Sequence, residues 1–123
     1  MNTRTRKPPI GVTLIAALLL IAGALGLYAD TKSFTTLAAS HYDILWPIGA
    51  HVLALVAGVF LLLGHNWARW LAVVWMAFHI AISYPSAGKI LGHSVFLLLF
   101  VWLLFFLADS RAWFCPVPLS PEP

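Results

Sequence analysis

Charged residues are scarce in this chain. They make up 9% of its 123 positions, where soluble domains usually carry about 25%. Acidic residues number only four, which leaves little material for carboxylate acid–base chemistry. The seven basic residues are scattered and do not form the patch that nucleic-acid binding requires. Cysteine occurs once, as Cys115. One thiol excludes an intramolecular disulfide framework and a paired-cysteine metal or redox motif. There is no glycine-rich phosphate loop and no nucleophile elbow. What remains is apolar: 62% of residues are hydrophobic, in runs of the length that crosses a lipid bilayer, about 20 residues each.

Those runs predict an all-α fold, a four-transmembrane-helix bundle with short connections. The spans fall at about 10–28, 45–63, 67–84 and 90–108, inside a membrane domain of residues 10–114. A basic lead of residues 1–9 precedes it, with Arg4, Arg6 and Lys7 facing lipid headgroups. A Pro-rich tail of residues 115–123 follows and is expected to be disordered. The first span competes with a cleaved signal peptide, but it outruns the usual apolar region, and Leu27-Tyr28-Ala29 is a poor cleavage site. Residues 29–44 read as an outer loop in which Phe34, Leu37, Ala38 and His41 have the spacing of a short surface helix.

The polar stretch from Gly64 to Trp70 divides two middle spans. Gly64 suits the left-handed residue that ends a helix, and Asn66 is placed to cap the next one. Trp67, Arg69, Trp70 and, near the C-terminus, Trp113 are expected as interfacial anchors, with Arg69 extending to water. Ala22 with Gly26, and Ala50 with Ala54 and Gly58, repeat every four residues. Small residues at that interval let helices approach closely. With four crossings, Arg4, Arg6, Lys7, Arg69 and Arg111 share one side, against Lys32 and Lys89 on the other. That asymmetry places both termini in the cytoplasm.

Topology also gathers the histidines. His51, His79 and His93 fall within a few residues of the outer ends of three spans. At 1.5 Å per residue they sit within roughly 10 Å of one membrane face. His41 is in the outer loop and could join them, whereas His65 is at the opposite face. Neutral imidazoles can bind haem iron or transition metals, and ionisable groups in a membrane are functional hypotheses by default. Tyr42, Asp43, Ser83 and Ser94 could orient the rings. The plainer alternative is histidines that hydrogen-bond to loops, carbonyls or water. No two histidines occur at metal-ligand spacing within one helix, and the pair His79 and Ser83 lacks an orienting acid.

The basic start followed by Pro8-Pro9-Ile10-Gly11-Val12-Thr13-Leu14, the turn Leu63-Gly64-His65-Asn66-Trp67-Ala68-Arg69, and a histidine early in span two, His51, resemble a broad set of small bacterial four-span membrane proteins of unknown function. The resemblance implies this architecture and a multi-pass place in the bacterial inner membrane, and supplies no catalytic residues. The leading functional expectation is a non-enzymatic oligomeric or accessory membrane subunit. Its partners would be the lipid bilayer and either further copies or a larger membrane complex. The alternatives are haem or transition-metal binding through the histidines, and a small transporter or channel component. Against transport, 123 residues leave no room for long inverted repeats.

Overall fold

The computed structural model describes residues 6–36 and 41–116, with side chains left aside at 35, 36 and 41–44. Among the described residues it is all-helical: α1 (Ile10–Thr36), α2 (His41–Leu62), α3 (Asn66–Ile82), α4 (Ala87–Val101), a π-helical segment (Trp102–Phe106) and α5 (Ala108–Phe114). Three stretches are long and apolar enough to cross a membrane: Ile10–Phe34, Leu45–Leu62 and Ala87–Phe106. The α3 helix has 17 residues, at the short limit for a spanning helix.

Consecutive helices run antiparallel. Gly23 and Gly26 of α1 meet His51 of α2, while Gly58 of α2 meets Ala16 and Leu20 of α1. Trp75 of α3 reaches the carbonyl of Ala50, and Trp46 stacks edge-on against Phe78. At one end of the next pair, Ser83 meets His93; at the other, Trp70 meets Phe105. The core between these helices is made by Val12, Ile15, Leu19, Leu61, Met76, Phe100 and Leu104, all nearly or fully buried.

The close approach of α1 and α2 is set by small side chains. Ala54 is fully buried, and a Cβ at Gly58 would lie 2.8 Å from Leu20 Cγ. The small-residue positions Gly26, Ala54 and Gly58 are therefore occupied within the chain. Helix packing in a membrane rests on such van der Waals contact, and here it joins α1 to α2 of the same molecule.

Helix ends depart from the sequence expectation in four places. First, α1 continues past Tyr28 to Thr36, and α2 begins at His41, so most of the expected loop over residues 29–44 is helical. Thr31 and Ser33 donate to the carbonyls of Tyr28 and Ala29, and Asp30 finds a partner on α2, which gives polar residues a place on a helix. The expected surface helix falls partly on residues 37–40, outside the described residues. Second, α2 begins at His41, ahead of the span expected from about 45, so Pro47 lies inside it. Third, α4 begins at Ala87, so Ser86 is its N-cap and the connection is shorter than expected. Fourth, the N-cap of α3 is His65, without a side-chain capping bond, and Asn66 is the first helical residue.

The Gly64 turn ends α2 as expected, with Gly64 at φ +80°. Its N–H bonds to Leu61 at 3.1 Å and that of His65 to Phe60 at 3.0 Å, the paired closure in which a left-handed residue satisfies the last helix carbonyls. The His65 ring lies 5.0 Å from that of Phe60, which adds the apolar contact that accompanies such a closure.

At this same end α5 folds back on the other helices. Ser110 and Phe114, one turn apart, are buried. Trp113 is half-buried, and its Nε1 donates to the Leu61 carbonyl at 2.9 Å, so this expected interfacial anchor docks on the end of α2. Arg69 also turns inward. Its guanidinium lies 4.5 Å from the Phe105 ring centre and 5.5 Å from that of Phe114, an attraction to the ring faces that strengthens as water is excluded. Trp67 and Trp70 remain largely exposed, as anchors would be. Replacing Trp113 with phenylalanine keeps the apolar body and deletes the bond to Leu61. The expected cost is about 0.5–1.5 kcal/mol, read as a lower unfolding midpoint in detergent, with an unchanged midpoint counting against this docking. Of the expected disordered tail over residues 115–123, residues 117–123 lie outside the described residues, and Cys115 at its start is exposed.

Candidate functional site

The opposite end of the molecule carries the polar cluster. His51, His79 and His93, from α2, α3 and α4, all line one open cavity of about 360 Å³. Leu18, Ala22, Trp75, Met76 and Phe96 complete its wall. His79 and His93 are neighbours, with ring centres 5.9 Å apart. His41 begins α2, but its side chain is among those left aside. His65 sits at the Gly64 end, exposed and against Phe60 and Trp67.

Each of the three rings is held through Nδ1. His51 Nδ1 lies 2.8 Å from Asp30 Oδ2, His79 Nδ1 lies 2.9 Å from the Trp75 carbonyl, and His93 Nδ1 lies 2.8 Å from Ser83 Oγ. The chemistry of these partners fixes where the protons are. A backbone carbonyl only accepts, so His79 carries its proton on Nδ1. Asp30 as a carboxylate also accepts, which places a proton on Nδ1 of His51. Ser83 has a single hydroxyl proton and donates it to the His79 carbonyl. Its oxygen is then left to accept from Nδ1 of His93. All three imidazoles therefore have Nδ1–H facing a partner. In the neutral ring this leaves a lone pair on Nε2, and among the described residues no hydrogen bond occupies it.

Local sequence explains this arrangement. Ala72, Met76, His79 and Ser83 share one face of α3, as their spacing implies, and Ala72, Met76 and Ser83 are buried. Trp75 is 7% exposed; its Nε1 donates to the Ala50 carbonyl at 2.7 Å, and its ring stacks on that of His79 at 4.0 Å. Trp75 thus fixes one face of His79 while its own carbonyl fixes the ring edge. His51 lies against Gly26, where the missing side chain makes room for the imidazole.

Two members of the site escaped the sequence reading. Asp30 was assigned to the outer loop, whereas the longer α1 puts it one turn beyond Gly26, on the face that meets α2. The spacing Gly23, Gly26, Asp30 was the available signal. Trp75 stands one turn before His79, a position that stacking on the imidazole makes useful. Of the residues expected to orient the rings, Ser83 does so; Ser94 makes no hydrogen bond to a ring among the described residues, and the side chains of Tyr42 and Asp43 lie outside the described set.

Sharing a cavity is different from sharing a metal ion. Among the described residues no group of three or more His, Cys, Asp or Glu side chains is placed to hold one. The arrangement can instead accept hydrogen bonds from a guest: several oriented imidazole nitrogens on an otherwise apolar wall. No protein-family model, curated protein or solved structure matches the chain.

Proposed function

We propose that this chain is an integral protein of the bacterial inner membrane with four crossings. It acts through helix contacts, as a non-enzymatic oligomeric or accessory subunit, with both termini cytoplasmic. The observation that carries the reading is the exposure of large apolar side chains along α4 and its π-helical extension. Leu91 is 68% exposed, Leu98 70% and Phe106 68%. A surface of this kind is stable against lipid tails or another apolar helix, and contiguous apolar exposure marks such contacts. Gly23, Gly26 and Gly58 are engaged between α1 and α2 of the same chain, so we assign contacts between copies or with a partner to this α4 face.

The even number of crossings draws support from where the chain ends lie. Arg6 donates to the Ala112 carbonyl at 3.0 Å, so the lead before α1 and the last helix meet at the Gly64 end. Arg69 and Arg111 belong to that end too, in keeping with a cytoplasmic face rich in cations. With α3 as a short fourth crossing, the histidine end faces outward. Transport through one copy fits less well, because Leu19, Leu61, Phe100 and Leu104 fill the centre with apolar side chains.

Native electrophoresis and crosslinking through Leu98→Cys test the packing role. A species larger than one chain, crosslinked through that face, is expected; a strictly monomeric and partner-free protein would refute it. Reporters fused to the two chain ends should both report cytoplasm, and opposite locations would remove the fourth crossing.

A further inference from the structure

We propose that the cavity lined by His51, His79 and His93 binds a small, neutral, membrane-soluble phenol, whose hydroxyl donates to a histidine Nε2. This goes beyond the packing role above. With Nδ1–H of each neutral ring held by its partner, the rings present acceptors and no donors to a guest. Asp30 and Ser83, which hold Nδ1 of His51 and His93, are not part of the cavity lining, and Nε2 is the ring nitrogen left open to a guest. The remaining wall, Leu18, Ala22, Trp75, Met76 and Phe96, is apolar or aromatic. Acceptors left bare on such a wall are unfavourable until a donor arrives.

Three features select the guest. It must carry a hydrogen-bond donor. It should be uncharged, because the only carboxylate near the site among the described residues, Asp30, is already engaged by His51, and an unpaired charge in a low-dielectric cavity is costly. It should have a flat apolar body, because the aromatic residues Trp75 and Phe96 are part of the cavity wall. A volume of about 360 Å³ is at the small end of ligand sites, which run from about 300 to 1,000 Å³, and matches a single substituted ring. A metal ion fits the wall poorly, since no three donors among the described residues converge on a point.

The test uses the full-length protein in detergent micelles with 15N-labelled histidine, titrated with 4-propylphenol and, separately, with its methyl ether, 4-propylanisole. The phenol is expected to shift Nε2 resonances of His79 or His93 in a saturable way, while the ether, which has no donor, leaves them in place. His65, at the other end of the molecule, supplies an internal control. His93→Phe should weaken saturable phenol binding about tenfold, the equivalent of one good hydrogen bond. Should that variant misfold, the wild-type titration alone decides. Equal shifts from phenol and ether, or shifts of His65 as large as those of the cavity histidines, would mean partition into the micelle and overturn the proposal. So would a free-protein spectrum showing the His79 proton on Nε2. Stoichiometric metal, or a Soret band after cofactor-replete expression, without saturable phenol binding would overturn it in favour of a metal or haem site.

Discussion

Replacing Gly23 with alanine is expected to lower the unfolding free energy by about 1–3 kcal/mol, the usual cost of forcing an extra carbon into a filled space. A Cβ at this position would stand 2.8 Å from Leu55 Cγ and 2.9 Å from the backbone oxygen of His51. The leucine could rotate away. The carbonyl cannot, because it belongs to the α2 backbone, so α1 and α2 must separate by several tenths of an ångström. That separation loosens the contact around Leu19 and Ala54, both fully buried. Gly49 supplies the contrast. Nothing lies within 4 Å of a Cβ placed there, so Gly49→Ala meets no clash and should gain about 0.5–1 kcal/mol from reduced backbone freedom in the unfolded chain. Reversible unfolding in mixed micelles distinguishes opposite signs easily. A neutral Gly23→Ala would show that the two helices do not touch as described. Gly26→Ala has a different outcome in view: its nearest neighbour is the His51 ring, so the ring moves away from Asp30 and the helix separation can stay the same.

The contrast between Gly23 and Gly49 marks how far the sequence could be read. Apolar runs and the Gly64 turn were legible because both follow from local rules: the length that crosses a bilayer and the need for a left-handed residue after Leu63. That His51, His79 and His93 come to one end of the molecule was legible for the same reason, since counting residues from the turns fixes height along a helix. Partners were harder. Asp30 looked like a loop residue because a polar residue just after an apolar run ordinarily ends the buried segment. The position of His51 on the facing helix gives Asp30 a partner there, and no local rule announces it. Arg69 looked like an anchor reaching water, and the π-helical segment that swings Phe105 beneath it leaves no trace in hydrophobic spacing. The small-residue repeat was visible as a packing device, but periodicity does not say whether the approaching helix belongs to the same chain; here Gly58 meets Ala16 and Leu20.

Removing the carboxylate of Asp30 is expected to destabilise the protein by about 1–3 kcal/mol, because His51 Nδ1–H then lacks its acceptor. The pair spans 2.8 Å, and the side chains of His51 and Asp30 retain only 22% and 19% exposure. Water reaches it in part, so the cost falls below that of breaking a fully buried ion pair, about 3–5 kcal/mol. A double-mutant cycle isolates the contact. Asp30→Ala and His51→Ala each lose the bond, and the double variant loses it only once, so the two effects should fall short of additivity by about 0.5–3 kcal/mol. Asp109→Ala provides a comparison at the opposite end, where the residue is exposed on α5; such surface changes usually stay within about 0.5 kcal/mol. The cycle also reaches the cavity, since Asp30 sets which nitrogen of His51 carries the proton. In Asp30→Ala the ring is free to exchange tautomers, and 15N spectra should show its Nε2 partly protonated while His79, fixed by its own helix carbonyl, is unchanged. Additive effects within about 0.3–0.5 kcal/mol, together with an unaltered His51 spectrum, would mean that this carboxylate neither holds the imidazole nor selects its proton.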